Sequence, residues 1–203
     1  IETGKIEDDD RLLAHMGEVT ALLYGVYGMD DLAGEAGDYL SLMRSRDLRK
    51  AERYAAEAYY YLGQGRSNPE AYGQAENVIT AITSQGIRHG KILHALSLAL
   101  LGQGRPAEAQ RAAEEGMKLA TGLVRLPIAQ GDALLAQEIY GSARASYAKA
   151  LATNGQHIWA RTAIQLTDAI TREGKPVLLL RECDKLLKEL EVLHPENPPV
   201  RTK

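Results

Sequence analysis

The chain has 203 residues and a net charge of −3, and 45% of its residues are hydrophobic and 25% charged. This balance is typical of a globular domain and argues against a disordered, collagen-like or coiled-coil protein. A slightly acidic chain lacks the positive field that draws proteins to nucleic acid or anionic lipid, so we expect no nucleic-acid partner. The longest apolar run, at 92–101, is about half as long as a membrane-spanning helix, so we expect no direct membrane insertion.

The amino-acid usage predicts an all-α protein, because residues that favour helices are abundant and phenylalanine is absent. Four prolines stand just before apolar, helix-like runs, where a missing N–H costs little: Pro69, Pro106, Pro127 and Pro176. In chain order we expect helices at 8–27, 30–44, 48–63, 69–84, 90–102, 106–120, 125–138, 141–153, 158–172 and 176–193. An acidic, solvated lead-in is expected at 1–13 and a proline-rich tail at 194–203.

An internal repeat organises most of the chain. The pentapeptide Leu-Gly-Gln-Gly-Arg occurs at 62–66 and again at 101–105. Downstream of it, Ala75, Ala109 and Ala143 recur at intervals of 34 residues. A fixed period of this length is the sequence signature of a helical repeat array, in which each unit buries its apolar face against the next unit.

This pattern resembles the tetratricopeptide repeat (TPR), a helix–turn–helix unit with small residues where its two helices cross. The clearest units begin at Gly90 and Val124, although Glu138 stands where the family usually has glycine, and one unit carries a five-residue insertion at 66–70. The five units expected from the resemblance are 14–47, 51–89, 90–123, 124–157 and 160–193. The resemblance implies an α-solenoid with a right-handed superhelix, and the alanine-rich units resemble bacterial arrays in particular.

The resemblance also implies which side chains face the concave groove, since the first helix of each unit lines it. Arg125 and Asp132 recur in phase as Arg161 and Asp168, a ladder that an extended peptide could read, although ordinary solvated charges would give the same pattern. Tyr59 is expected to anchor a partner, because tyrosine is a frequent interface hot spot; alternatively, the tyrosines fill the core in place of phenylalanine. The expected groove residues are Tyr59, Lys91, His94, Leu98, Arg125, Asp132, Arg161 and Asp168.

Family members that bind the carboxyl-terminal tails of chaperones carry a clamp of lysine, asparagine and arginine. The corresponding positions of this chain lack that set, so we do not expect it to bind chaperone tails. The residues at the fifth position of the five units are Glu18, Ala55, His94, Ile128 and Ile164.

Catalytic, metal and cofactor sites are not expected. The spacing of Gly102 and Gly104 imitates a dinucleotide fingerprint, but the segment before it reads as helix, so we interpret both residues as turn glycines. No two of the five histidines have the four-residue spacing that would place both on one helix face. Cys183 is the only cysteine, which rules out an internal disulfide, and it falls at a core position that predicts an inert thiol.

The sequence therefore predicts a non-enzymatic protein–protein interaction module that binds a partner segment in its groove. The alternative is a structural spacer or self-association domain of a larger protein, with the amphipathic segment at 179–190 as a sticky end. A third hypothesis places a small-ligand pocket under the insertion at 66–70. Because the chain begins at Ile1 rather than methionine, we expect a piece of a longer product, and the compartment stays open between cytoplasm and periplasm.

Overall fold

The computed structural model describes residues 2–48 and 51–171, with side chains from Asp9 onward. The described part is all-α, as the sequence predicts. Its helices are α1 Glu2–Gly25, α2 Ala33–Ser45, α3 Ala51–Gly65, α4 Glu70–Thr83, α5 Gly90–Gly102, α6 Pro106–Leu119, α7 Arg125–Leu135, α8 Tyr140–Thr153 and α9 Ile158–Thr171. A short 3-10 helix at Asp30–Leu32 precedes α2. None of the described helices is both long and apolar enough to cross a membrane.

The first helix differs from the sequence prediction. α1 begins at Glu2, so the stretch expected to be a solvated lead-in over 1–13 is helical almost throughout. Acidic residues near a helix amino terminus are favoured by the helix dipole, which is why an acidic run need not mark a non-helical segment. The tenth predicted helix at 176–193, Cys183 and the tail at 194–203 lie outside the described residues.

The helices form a solenoid of antiparallel pairs. Each helix from α2 to α9 packs against the one before it, and the odd-numbered helices α1, α3, α5 and α7 also pack against one another in order. The odd-numbered helices therefore form one continuous layer, and the even-numbered helices form a second layer outside it. This arrangement confirms the solenoid of helical repeats.

Small residues make the close helix crossings possible. Ala75, Ala109 and Ala143, which define the repeat in the sequence, have no exposed surface. Ser97 is buried and its hydroxyl donates to the Ala109 carbonyl at 2.8 Å, which ties α5 to α6 at their crossing. A large side chain at any of these positions would force two helices apart.

Glycines on the inner helices accommodate tyrosine rings. A Cβ atom added to Gly63 would lie 2.3 Å from the ring of Tyr24, and one added to Gly131 would lie 2.4 Å from the ring of Tyr147. Gly102 faces the ring of Tyr72 in the same way. Several tyrosines thus fill the core against glycine, which explains how a chain without phenylalanine packs large aromatic side chains.

The turns after four helices share one hydrogen-bond pattern. A residue with positive φ follows the helix, and the next N–H reaches back five residues, as when Ile139 N–H donates to the Leu134 carbonyl at 2.9 Å. This is the Schellman arrangement, which favours glycine because it has no Cβ. The four residues are Asp47 (φ 48), Gly86 (φ 83), Gly104 (φ 71) and Glu138 (φ 61).

Replacing Glu138 with glycine is expected to stabilise the protein by about 1 kcal/mol, because a side chain in the left-handed region is strained. The helix α7 ends before this residue, at Leu135, rather than running on to 138 as predicted. Urea unfolding followed by circular dichroism measures the change, and Gly104→Ala is the matched opposite, expected to destabilise. A Glu138→Gly variant that unfolds earlier than the parent would contradict the strain argument.

Candidate functional site

A cleft of about 390 Å³ opens on the concave side of the solenoid, which the inner helices line. Its lining is mostly apolar, with a few polar groups at defined positions, which is the usual make-up of a ligand or peptide site. The contributing residues are Val26 and Tyr27 just after α1, His94 and Leu98 from α5, Arg125, Ile128, Ala129 and Asp132 from α7, and His157 and Trp159 around the start of α9.

Two aromatic side chains stand exposed at the edge of this cleft. Tyr27 is 54% exposed and Trp159 is 55% exposed, although large aromatic rings usually gain free energy by burial. Both also line an adjoining cleft of about 410 Å³, together with His157. Tyr27, just after α1, and Trp159 of α9 therefore present exposed aromatic surface to both clefts.

A network of largely buried charges lies beneath the cleft and joins four inner helices. Glu18 on α1 is only 3% exposed, and it accepts a hydrogen bond from Lys91 Nζ on α5 at 2.6 Å. Its other carboxylate oxygen lies 3.6 Å from Arg125 Nη2 on α7. Lys91 also contacts Glu52 on α3 at 3.4 Å. One acidic side chain thus braces helices that are far apart in the sequence.

Tyr59 and His94 form the uncharged side of this floor. Tyr59 has no exposed surface, its Oη lies 2.8 Å from His94 Nδ1, and it donates to the Lys91 carbonyl at 3.3 Å. The Arg125 guanidinium lies over the Tyr59 ring, 5.9 Å from its centroid. Burial, and to a smaller extent the nearby Arg125 charge, lowers the pKa of His94 to about 3, so this imidazole is neutral near pH 7.

Asp132 is the acidic group of the cleft wall. Its Oδ1 accepts from Tyr147 Oη at 2.7 Å and from Trp159 Nε1 at 3.4 Å. Burial raises the pKa of the Asp132 carboxyl above its ordinary value, while the two hydrogen bonds act in the opposite direction. The indole of Trp159 is therefore held beside a carboxylate at the mouth of the cleft.

Four of the eight side chains predicted for the groove line the cleft: His94, Leu98, Arg125 and Asp132. Lys91 lies below them in the charged floor. These predicted residues of α5 and α7 therefore lie together in the structure.

The other three predicted groove residues lie elsewhere. Tyr59 is fully buried, so the anchoring role predicted for its side chain is wrong, and it supports the floor instead. Asp168 accepts a hydrogen bond from Arg144 Nε on α8 at 2.6 Å, and Arg161 is half-buried on α9 outside the cleft lining. Asp132 and Asp168 have different hydrogen-bond partners, so the two carboxylates do not occupy equivalent surroundings.

Six residues of the cleft lining are not among the eight predicted groove residues: Val26, Tyr27, Ile128, Ala129, His157 and Trp159. Four of them lie just after α1 or around the start of α9, where no single repeat position identifies them. The sequence offered one signal for these residues, namely that Trp159 is the only tryptophan of the chain. In the fold its side chain is exposed.

The insertion at 66–70 is tied to the end of α1 through Arg66. Arg66 Nη1 donates to the carbonyls of Tyr24 at 2.9 Å and Gly25 at 3.1 Å, and its Nη2 forms an ion pair with Asp30. Its guanidinium also lies over the Tyr24 ring. Elsewhere, among residues 2–48 and 51–171, no group of three or more His, Cys, Asp or Glu side chains could hold a metal ion.

Comparison with solved structures identifies the fold. The chain superposes on the crystal structure of YrrB, described as a TPR protein with an unusual peptide-binding site, with a TM-score of 0.51 over 79% of this chain and 85% of that one. The chain has the TPR fold. The two sequences are only 17% identical, so the likeness concerns the fold and not the site.

No protein-family model and no curated protein matches this sequence. The TPR fold nevertheless accounts for the layered geometry, in which α1, α3, α5 and α7 pack against one another in order. The cleft lies on the inner face of this layer.

Proposed function

We propose that this TPR array is a non-enzymatic protein–protein interaction module that holds a short partner segment in its concave cleft. The observation that carries the proposal is the cleft itself, an apolar depression of about 390 Å³ edged by two half-exposed aromatic rings. Aromatic residues in this setting are the side chains that most often dominate binding energy at interfaces. The peptide-binding site named for YrrB supports the same use of the fold.

The floor of the cleft supports binding without rearrangement. Glu18, Lys91 and Arg125 hold the inner helices together beneath the cleft, so the depression exists before any partner arrives. A preformed site loses less conformational freedom on binding and so gains affinity. By analogy with other arrays of this kind, we place the protein in a bacterial assembly, export or signalling complex as an adaptor or scaffold.

The test begins with a random peptide library panned against the full chain. Peptides that bind are titrated while the fluorescence of Trp159, the only tryptophan, is recorded. Leu98→Glu places a charge in the cleft and is expected to weaken binding by at least about tenfold, since desolvating an unpaired charge is costly. The matched control is Leu119→Glu, which changes an exposed leucine at the end of α6 and should leave affinity unchanged.

Two results would contradict the cleft assignment. The first is a set of peptides that bind without altering Trp159 fluorescence and that have the same affinity for the parent protein and for the Leu98→Glu variant. The second is a library that yields no binder. In that case the spacer or self-association role would be favoured, and sedimentation at several concentrations would show it as concentration-dependent assembly.

A further inference from the structure

One oxygen of the Asp132 carboxylate in the cleft wall, Oδ2, has no hydrogen-bond donor among the described residues. The two hydrogen bonds that the Asp132 side chain receives from described residues, Tyr147 and Trp159, end on Oδ1. Oδ2 accepts no hydrogen bond from the part of the chain that the structure describes. An ionised carboxylate can accept several hydrogen bonds, so Asp132 retains capacity for a donor that enters the cleft.

Among the described residues of the cleft lining and its floor, the charges sum to a single negative charge. In the floor, the carboxylates of Glu18 and Glu52 are matched by the cations of Lys91 and Arg125. Asp132 in the wall adds a carboxylate whose described partners, a phenol and an indole, are both neutral. The two histidines of the lining do not offset it, because burial lowers the pKa of both.

The aromatic edge has the chemistry that favours a cation. Tyr27 and Trp159 keep more than half of their surface exposed, and Trp159 is fixed beside Asp132 through its indole N–H. The face of an aromatic ring attracts a positive charge, most strongly for tryptophan. A ring next to a carboxylate oxygen with free capacity can therefore bind both the charge and the N–H groups of a basic side chain.

We propose that the cleft selects a partner segment carrying an arginine or lysine beside an apolar side chain. The basic group lies against Tyr27 and Trp159 and donates to Asp132 Oδ2, and the apolar neighbour packs on Leu98 and Ile128. This inference rests on the proposed function, and it names the chemistry of the segment that the cleft receives.

An acidic segment fits the cleft less well. Arg125 is the one cation in its described lining, and it already faces Glu18 and the Tyr59 ring. A carboxylate entering the cleft would also approach Asp132, and like charges in a partly desolvated site repel each other. The balance of charge therefore favours a basic partner.

The experiment compares three blocked tripeptides that differ at one side chain: acetyl-Leu-Arg-Leu-amide, its citrulline analogue and its glutamate analogue. Citrulline keeps the shape of arginine and removes the charge. Binding to the full chain is followed by the single indole N–H resonance of Trp159 in nitrogen-15 spectra. The arginine peptide is expected to bind about tenfold more tightly than the citrulline peptide, and the glutamate peptide more weakly still.

Substitutions at Asp132, Asp168 and Trp159 locate the effect. Asp132→Asn keeps an oxygen for Tyr147 and Trp159 but removes the charge, and it is expected to abolish the preference for arginine. Asp168→Asn is the matched control, because Asp168 pairs with Arg144 outside the cleft, and it should keep the preference. Trp159→Phe should retain more of the preference than Trp159→Ala, as measured by calorimetry.

The outcomes separate this inference from the proposed function. Equal binding of the arginine and citrulline peptides, or library-selected peptides that shift Trp159 yet carry no basic residue, would overturn the inference and leave a peptide-binding cleft. A preference for arginine that survives Asp132→Asn would overturn the assignment to this carboxylate. If no peptide perturbs Trp159 and Leu98→Glu changes nothing, both the inference and the proposed function fail.

Discussion

Gly25→Ala is expected to destabilise the protein by about 3 kcal/mol or more, because the last residue of α1 touches the backbone of α3. A Cβ atom at this position would lie 2.0 Å from the Tyr59 carbonyl oxygen and 2.8 Å from the Tyr59 carbonyl carbon. Helix backbone cannot turn aside as a side chain does, so the two helices would have to separate. Chemical unfolding followed by circular dichroism at 222 nm measures the loss.

The matched control for this prediction is Gly73→Ala. Gly73 lies within α4, and a Cβ atom there would meet no atom within 4 Å. Alanine is the better helix former, so this change should stabilise the protein by about 0.5–1 kcal/mol. If the two substitutions shifted the unfolding midpoint in the same direction, close approach at Gly25 would not be the cause.

Glu18→Gln is expected to destabilise the protein by about 3 kcal/mol, because it removes the charge that compensates two cations in a nearly buried site. Lys91 and Arg125 both face this carboxylate, and their side chains are only 22% and 18% exposed. The substitution keeps the size of the side chain, so the loss reports the charge and not the packing. Unfolding in urea measures it, and affinity for cleft peptides should fall in parallel because the brace supports the cleft floor.

The control for Glu18 is an exposed ion pair of the same chemistry. Arg88 and Glu115 contact each other with side chains that are 60% and 43% exposed, so Glu115→Gln should cost less than about 1 kcal/mol. The double variant Glu18→Gln with Lys91→Met should lose less than the sum of the single changes, since it leaves fewer unmatched charges. A Glu18→Gln cost no larger than that of Glu115→Gln would show that the buried network does not brace the inner helices.

Much of the fold could be predicted from the sequence because the spacing of small and apolar residues reflects the repeat architecture. The alanines at 75, 109 and 143 mark positions where helices cross, and all three are completely buried in the structure. The resemblance also marked Glu138 as a residue where glycine is usual, and that residue adopts the left-handed conformation with φ 61. The start of α1 was missed, because an acidic run was read as solvated coil although it continues the helix.

The site was only half predictable, because a repeat frame assigns each helix a face but not the distance between helices. Tyr59 occupies a groove position in that frame, yet the inner layer curves tightly enough for His94 and Arg125 to cover it. The same curvature brings Glu18 to Lys91, 73 positions away in the sequence. No local sequence pattern predicts such a contact.

The sequence by itself determined that this chain is a stack of helical pairs, since the period of small and apolar residues dictates which surfaces must be buried. Only the tertiary structure decided which of the inner residues remain accessible. The curvature of the stack buries Tyr59 and brings Tyr27, just after α1, and Trp159 from α9 to the edge of one cleft. That curvature sums small rotations between successive repeats, and each rotation depends on side-chain packing across a whole interface rather than on any one residue.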